Sequence, residues 1–538
     1  MRAVLTGGPR PPSSRQARLA LASVVLLASA GAAACRSEPA RQTEQAEVGP
    51  TDAASADAAV ADGGAAPADA TAPDAGDLPP TLTADELAAL RLLSPPTLPA
   101  APADPTNRFA DDPTAAALGQ RLFFDPSFSG QLLDTDNDGS SQTLGVATPT
   151  SGQTGRVACA GCHIPASGYS DTRSFQRQIS LGAGWGRRRA PSLLDVGQAR
   201  LIMWDGRKDS LFSQVFGPLE TVVEMNSSRL YMAEQLFQRY RSDYEAMFGP
   251  MPALDDTTQF PALSATVTGC IPPNRANPPP TCNGPFHGMP GDGAEFDGMS
   301  VDNQNAVTQV VANAGKAIGA YERLLTCGQS PFDAWVQGNA TAISSSAQRG
   351  AVLFVGSAGC VSCHSGPFMS DQGFHNVGLV PAIVQQDFID SNDQGEATGL
   401  PQLLASSLNS AGAFSDGTDD RIPAAVTPAM SGAFRTPTLR CASMRPTFMH
   451  TGHVGTLAQV VAFFSQGGAA TGYPGTNELK PLGLSAQEQA DLVAFLESLT
   501  GPGASAALQT SPDAGAAPDA QTQTPTEAEA GAAGDASP

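Results

Sequence analysis

Apolar residues recur along this chain mostly at helical spacing. "TLAQVVAFF" places Leu457, Val460, Val461 and Phe464 at i, i+3, i+4 and i+7, one face of a helix. "VDNQNAVTQVVANAGKAIGAYERLL", residues 301–325, is a longer amphipathic run of the same period. Start signals fit this reading. "DDPTAAALGQRLFF" offers Asp112 as N-cap with Pro113 at the first helical position. "LSAQEQADLVAFLESLTGP" opens on a capping box, Ser485 with Glu488, and stops at Gly501-Pro502. Alternation at period two is scarce, so the pattern predicts a mostly α chain.

The pattern fails at both ends. From Arg36 to about Pro80, and again after Gly501, the chain is Ala, Asp, Pro and Gly with few large apolar residues. Such segments bury too little surface to offset their ordering entropy, so both are expected to be disordered. Met1 to Ala34 reads as an export signal: arginines, the apolar run "LALASVVLLASA", then small residues. That run is too short for a comfortable membrane span. "GAAAC" ends on Cys35, which is expected to carry a lipid; plain cleavage nearby, leaving a free Cys35, is the alternative. The chain is thus expected on the periplasmic side, attached to a bacterial membrane only through Cys35. Its net charge of −22 resides partly in these tethers and argues against a nucleic-acid partner.

Two short stretches carry chemistry, "CAGCH" from Cys159 and "CVSCH" from Cys360. Two thiols spaced to add to the two vinyl groups of a haem, followed by a histidine for the iron, form a c-type haem attachment site. A zinc half-site would need a second Cys or His pair nearby, and neither stretch has one. Cys159, Cys162, Cys360 and Cys363 are therefore expected to hold two haems, with His163 and His364 as axial ligands. Of nine cysteines, Cys270, Cys282, Cys327 and Cys441 remain, an even number that suggests disulfides in an exported protein. Cys270 and Cys282 flank a Pro-rich loop, which favours a local bridge and leaves Cys327 with Cys441; other pairings stay open.

Each motif sits early in a helical half. The expected organisation is a signal peptide (1–35), a linker (36–80), an N-terminal haem domain (81–335) with insertions at about 130–155 and 252–298, a C-terminal haem domain (336–500), and a tail (501–538). The first insertion contains "DTDNDG", Asp134 to Gly139, which resembles a calcium loop in its first six positions. Position 12 is Gly145 rather than a bidentate acid, so a solvated acidic turn is the alternative.

Between and around the haem motifs, "LGQRLFFDPSFSG", "RRAPSLL", "WDGR", "GPLE" with "VEM", "GAFRTPTLR" and "MHTGHVGTLAQVVAFFSQGG" appear in order. Over about residues 81–500 the chain resembles the bacterial di-haem cytochrome c peroxidase and MauG family. The resemblance implies that the first haem meets peroxide and the second receives electrons. It also implies that Glu224 and Gln214 lie on the distal side of the first haem and that Trp204 lies between the two. Cleaving a peroxide O–O bond calls for a group that takes a proton from one oxygen and returns it to the other, which a carboxylate can do.

Three departures matter. Residues 164–190 contain no histidine, so the first haem should lack the distal ligand that some members carry. Fourteen residues after His450, where the family has Met or Tyr on the second iron, stands Phe464. Met449 and His453 are nearby candidates, and His450 matches a histidine near the haem edge. The family's inter-haem calcium uses positions that read Arg189, Arg445 and Thr447 here, so calcium is doubtful and an arginine is expected in its place. The leading expectation is a peroxidase reducing hydrogen peroxide with electrons from a small cytochrome c or cupredoxin. The alternatives are a MauG-like enzyme oxidising residues of a partner protein, and a di-haem electron carrier.

Overall fold

Every start signal opens a helix in the computed structural model of the chain. The structure describes residues 78–133, 152–172, 180–264, 287–380, 392–418 and 422–513, and the backbone alone of 270–271 and 281–282. In order come α1 (Ala84–Leu93), α2 (Pro113–Phe124), α3 (Cys159–Cys162), α4 (Leu211–Gln214), α5 (Phe216–Glu220), α6 (Arg229–Arg239), α7 (Arg241–Phe248) and α8 (Val301–Glu322). There follow α9 (Pro331–Val336), α10 (Ser345–Val355), α11 (Glu396–Ala405), α12 (Leu457–Gln466) and α13 (Ala486–Ser498). Asp112 caps α2 by accepting from Thr114 N and Ala115 N at 2.7 and 3.1 Å. The capping box of Ser485 and Glu488 opens α13.

Strand structure is confined to two-residue ribbons among the described residues. β1 (Cys270–Ile271) pairs antiparallel with β2 (Thr281–Cys282), and the register sets Cys270 opposite Cys282. β3 (Phe374–His375) pairs with β4 (Phe434–Arg435).

The helices gather around two hydrophobic cores. Phe123, Phe212, Leu230 and Tyr321 centre the first, built by α2, α4, α6 and α8. Leu93, Phe332, Phe354 and Phe495 centre the second, built by α1, α9, α10 and α13. The two cores share one device. A helix that precedes the CxxCH motif crosses a later helix at a glycine, Gly119 on the Ala317 carbonyl and Gly350 on the Asp491 carbonyl. A Cβ at either glycine would come within 1.9 Å of that oxygen, so only glycine allows the backbones to approach this closely.

The chain ends depart from the expected boundaries, and they do so reciprocally. α1, expected with the N-terminal half, buries Leu90 and Leu93 in the second core. The chain after Gly501, expected to be a tail, instead runs to Asp513 along the first core. Ala504 is buried there, and the Tyr169 and Tyr321 hydroxyls both donate to the Leu508 carbonyl, at 2.9 and 2.5 Å. Gln120 adds bonds to the carbonyls of Ala507 and Thr510. Composition hides this strap because backbone carbonyls, which every residue owns, make most of its contacts.

Two covalent or ionic ties reinforce the exchange. Cys327 and Cys441 form a disulfide across a sequence separation of 114. Arg440 and Asp333, both fully buried, pair through two hydrogen bonds of 2.8 and 3.0 Å. Arg440 also donates to the carbonyls of Leu93 and Pro367, and Ser94 donates to Asp333.

No helix among the described residues is long and apolar enough to cross a membrane. The signal segment with Cys35, the linker up to residue 77, the acidic loop 134–139, and residues 514–538 lie outside the described residues.

Candidate functional site

The two CxxCH segments fold alike. Cys159–Cys162 form the single turn α3, Cys360–Ser362 a 3-10 turn, and the histidine follows each turn. None of the four cysteines is in a disulfide. His163 Nδ1 lies 3.2 and 3.0 Å from the carbonyls of Tyr169 and Pro191, and His364 Nδ1 lies 2.9 Å from that of Met369. A carbonyl only accepts, so Nδ1 carries the proton and Nε2 keeps its lone pair. Burial lowers both histidines below the ordinary imidazole range, which favours the neutral, ligating form. Tyr169 and Met369 both take a left-handed backbone conformation, at φ of 56° and 50°, which turns their carbonyls inward. Paired free thiols beside an imidazole poised at Nε2 fit a haem at each motif.

Glu224 reaches the first motif through the backbone. Ala183 N donates to the Glu224 carbonyl at 2.6 Å and Gly184 N to that of Val223 at 2.9 Å. The same loop offers the Leu181 carbonyl to the Cys162 thiol at 3.5 Å. The Glu224 carboxyl has no hydrogen-bond partner among the described residues. Low-polarity surroundings push it up from the ordinary carboxylate range, against a smaller opposing effect of Arg207. Such a group holds and exchanges a proton near neutrality more readily than a solvated glutamate.

Gln214, at the end of α4, donates from Nε2 to Glu322 Oε1 at 3.1 Å. Sequence reasoning missed Glu322. It ends a long amphipathic run, where an acid looks like a solvated surface residue. Here it is 3 % exposed, burial alone pushes its carboxyl up to about 8, and its charge is felt by the Cys159 thiol. His375 was missed too. It sits between Asp371 and Glu478, at 2.8 and 2.7 Å. It is raised to about 10 by hydrogen bonding, first to the Cys363 thiol and then to those acids. Cys363, Asp371 and His375 converge as a metal triad would, but a thioether to haem would remove the thiolate that such a site needs.

Trp204 stands where the two halves meet. Its indole N–H donates to the Arg189 carbonyl at 2.6 Å, and its own carbonyl accepts from Arg435 N at 2.9 Å. The Arg189 guanidinium lies 5.6 Å from the indole ring, and the His450 ring lies 6.4 Å away. His450 is stacked on Phe434 at 3.6 Å, and burial lowers it to about 3, so it is neutral. Phe464 lies on α12, where its ring offers iron no lone pair. The contacts made by Met449 and His453 do not engage the atoms that would ligate iron, the Met449 sulfur and His453 Nε2. Met449 gives its carbonyl to Arg189, and His453 Nδ1 is engaged by the Thr451 hydroxyl.

The position expected to be calcium-free is strongly cationic. Arg189, 3 % exposed, donates to the Met449 carbonyl at 3.2 Å and to the Ser170 hydroxyl. Arg445, also buried, donates to the carbonyls of Thr438 and Arg440. Burial, and for Arg189 the neighbouring Arg445, lowers these guanidinium groups to about 9 and about 10. With Arg435 they line a cavity beside Trp204 and Gln372, and the Nε atoms of Arg435 and Arg445 are buried without partners. Three guanidinium groups on this lining disfavour a calcium ion, because like charges repel strongly where water is excluded, although the Asp195 carboxyl shares the lining. Orphaned guanidinium donors fit anionic groups, such as the carboxylates that a haem carries.

Comparison with known proteins agrees with this geometry. A family model described as "Di-haem cytochrome c peroxidase" matches residues 113–268. The methylamine utilization protein MauG of Methylorubrum extorquens is 29 % identical over 428 residues, 78 % of this chain and 88 % of that protein. The cytochrome-c peroxidase IdrP1 of Denitromonas iodatirespirans is 30 % identical over 410 residues, 75 % of this chain and 86 % of that protein. The solved structure of the diheme peroxidase BthA from Burkholderia thailandensis aligns with 76 % of this chain and 95 % of its own, at 21 % identity and a TM-score of 0.49. Two poised histidines beside paired thiols, and relatives that match along most of their length, place this chain in the di-haem cytochrome c peroxidase and MauG family of haem oxidoreductases.

Proposed function

We propose that the protein is a di-haem peroxidase that reduces hydrogen peroxide to water with electrons from a small cytochrome c or cupredoxin. It works on the periplasmic side of a bacterial membrane, to which Cys35 tethers it by a lipid. Cys159 and Cys162 would hold one haem and Cys360 and Cys363 the other, with His163 and His364 on the irons. When bound, the haems store electrons and supply the iron at which peroxide is cleaved.

The observation that carries the reading is Glu224, a carboxyl with no hydrogen-bond partner among the described residues and with its proton affinity raised by burial, tied by one loop to the first haem motif. Forming two waters from one peroxide takes two electrons and two protons. Glu224 takes a proton from one peroxide oxygen and gives it to the other, and Gln214 orients the molecule by hydrogen bonding. Trp204, bonded to Arg189 on one side and Arg435 on the other, offers electrons a short path between the halves. An electron carrier would need no such acid.

One observation favours a second reading. Phe464 leaves the second haem without the usual Met or Tyr, as suits a catalyst that draws electrons from residues of a partner protein, in the manner of MauG. The test uses the haem-loaded, fully oxidised protein mixed with hydrogen peroxide. Residues 164–190 contain no histidine, so an immediate absorbance change and a high-spin resonance signal are expected without prior reduction. A protein silent until it receives one electron contradicts the proposal. Rapid peroxide-dependent oxidation of a reduced cytochrome c separates the peroxidase from the partner-oxidising reading.

A further inference from the structure

Glu322 sits where neither stability nor solvation calls for an acid. It is the last residue of α8, and a helix C-terminus disfavours negative charge. It is 3 % exposed, and its second oxygen, Oε2, is buried without a partner. No cation faces it. Its neighbour Arg323 pairs with Asp111 at 2.8 Å and Lys316 of the same helix with Asp416 at 2.9 Å. On the helices packed against α8, Arg121 of α2 pairs with Asp243 and Asp513, Arg229 of α6 pairs with Glu220, and α4 presents the neutral Gln214. An acid retained at such cost marks a functional requirement more often than a structural one.

Its single bond shows what that requirement is. Gln214 Nε2 donates to Glu322 Oε1 at 3.1 Å. A primary amide has one donor end and one acceptor end, and nothing in its own shape distinguishes them. We propose that Glu322 is the positioning residue for Gln214: by accepting from its nitrogen, it reserves the amide oxygen for a guest at the first haem. This inference rests on the proposed reading of the Gln214 side of the first haem as the peroxide site. The ionised carboxylate can only accept, which fixes the amide this way round; the acid form carries an O–H that can also donate to the amide oxygen, so the reservation belongs to the ionised form. A reserved acceptor suits a guest that brings its own O–H, as hydrogen peroxide does. It gives nothing to a guest that can only accept.

That difference supplies a test that a merely structural acid would not move. Fluoride, an anion with no proton to give, binds oxidised haem iron and is followed by its absorbance band. In the haem-loaded Glu322→Leu protein the amide is free to turn its nitrogen toward the first haem. Fluoride should then bind about tenfold more tightly, the worth of one added hydrogen bond. The reaction with peroxide should slow. In Glu322→Leu combined with Gln214→Leu the gain in fluoride affinity should vanish, because no amide is left to turn. Glu322→Met carries the same expectation if the leucine variant fails to fold. Unchanged or weakened fluoride binding, or a gain that survives loss of Gln214, overturns the proposal. So does failure of both single variants to fold with haem, which would assign Glu322 to packing. A wild-type protein that reacts with neither fluoride nor peroxide would instead remove the peroxide-site reading on which the inference stands.

Discussion

At the scale of single residues, two acids show how environment decides role. Glu224 has no hydrogen-bond partner among the described residues and burial raises its proton affinity; Asp333 is gripped by Arg440 and its proton affinity is lowered. Glu224→Gln keeps size and most hydrogen bonding but removes the exchangeable proton. It should slow the reaction with peroxide by about 10²–10⁴-fold, the usual contribution of a positioned acid–base group, while the melting temperature stays put. Stopped-flow absorbance with parallel thermal melts checks this, and an unchanged rate with a lowered melting point would make Glu224 a structural acid. For Asp333, burial alone would raise the carboxyl, but the bonds from Arg440, Ser330 and Ser94 overcome it and hold the carboxyl below its ordinary range. A depressed carboxyl contributes stability that is fully present above its unfolded value and lost only as pH falls through the folded one. Asp333→Ala strands the Arg440 charge and should cost about 3–5 kcal/mol across neutral pH, read from denaturant unfolding. A loss under 1 kcal/mol would mean that Arg440 finds another partner. The two Cys-x-x-Cys-His turns, with their paired thiols and oriented imidazoles, were legible in the sequence because a fixed local spacing encodes them. Glu322 and the Arg440–Asp333 pair were not, because their partners lie 108 and 107 residues away and no local pattern joins them.

At the scale of elements, capping chemistry and apolar period located the long helices. The same signals could not say which core a helix joins. α1 carries a complete capping box of Thr83 and Glu86, yet nothing in "ADELAALRLL" tells that Leu90 and Leu93 fill the second core and not the first. The strap after Gly501 was read as a tail because it has almost no apolar period; its hold is through carbonyls taken by Tyr169, Tyr321 and Gln120. Ending the chain after Thr500 removes those bonds and the burial of Ala504. At roughly 1 kcal/mol for each hydrogen bond, the first core should lose about 2–4 kcal/mol and its melting temperature should fall by several degrees. Thermal melts of the haem-loaded protein check this, and a melting temperature equal to that of the full chain would show that the strap contributes nothing.

At the scale of the whole molecule, the junction between the halves is held by arginine. Arg189 and Arg445 reach the carbonyls of Met449, Thr438 and Arg440, as an ion would, but as part of the chain itself. Dialysis against a calcium chelator should therefore leave haem spectra, peroxide reactivity and melting temperature unchanged. A chelator-induced change at either haem, reversed by calcium, would contradict the arginine assignment.

The exchange of chain ends bears on how the protein is made. Synthesis runs from the N-terminus, so α1 emerges first, long before α10 and α13, the helices it must dock against. The first core is in turn left open along Tyr169 and Tyr321 until Leu508, near the end of the described chain, has emerged. Neither core is complete until its late partner, α13 for the second and the strap at Leu508 for the first, has emerged. On the proposed reading, both pairs of thiols would therefore stay accessible for haem attachment until the strap over Tyr169 and Tyr321 has been made.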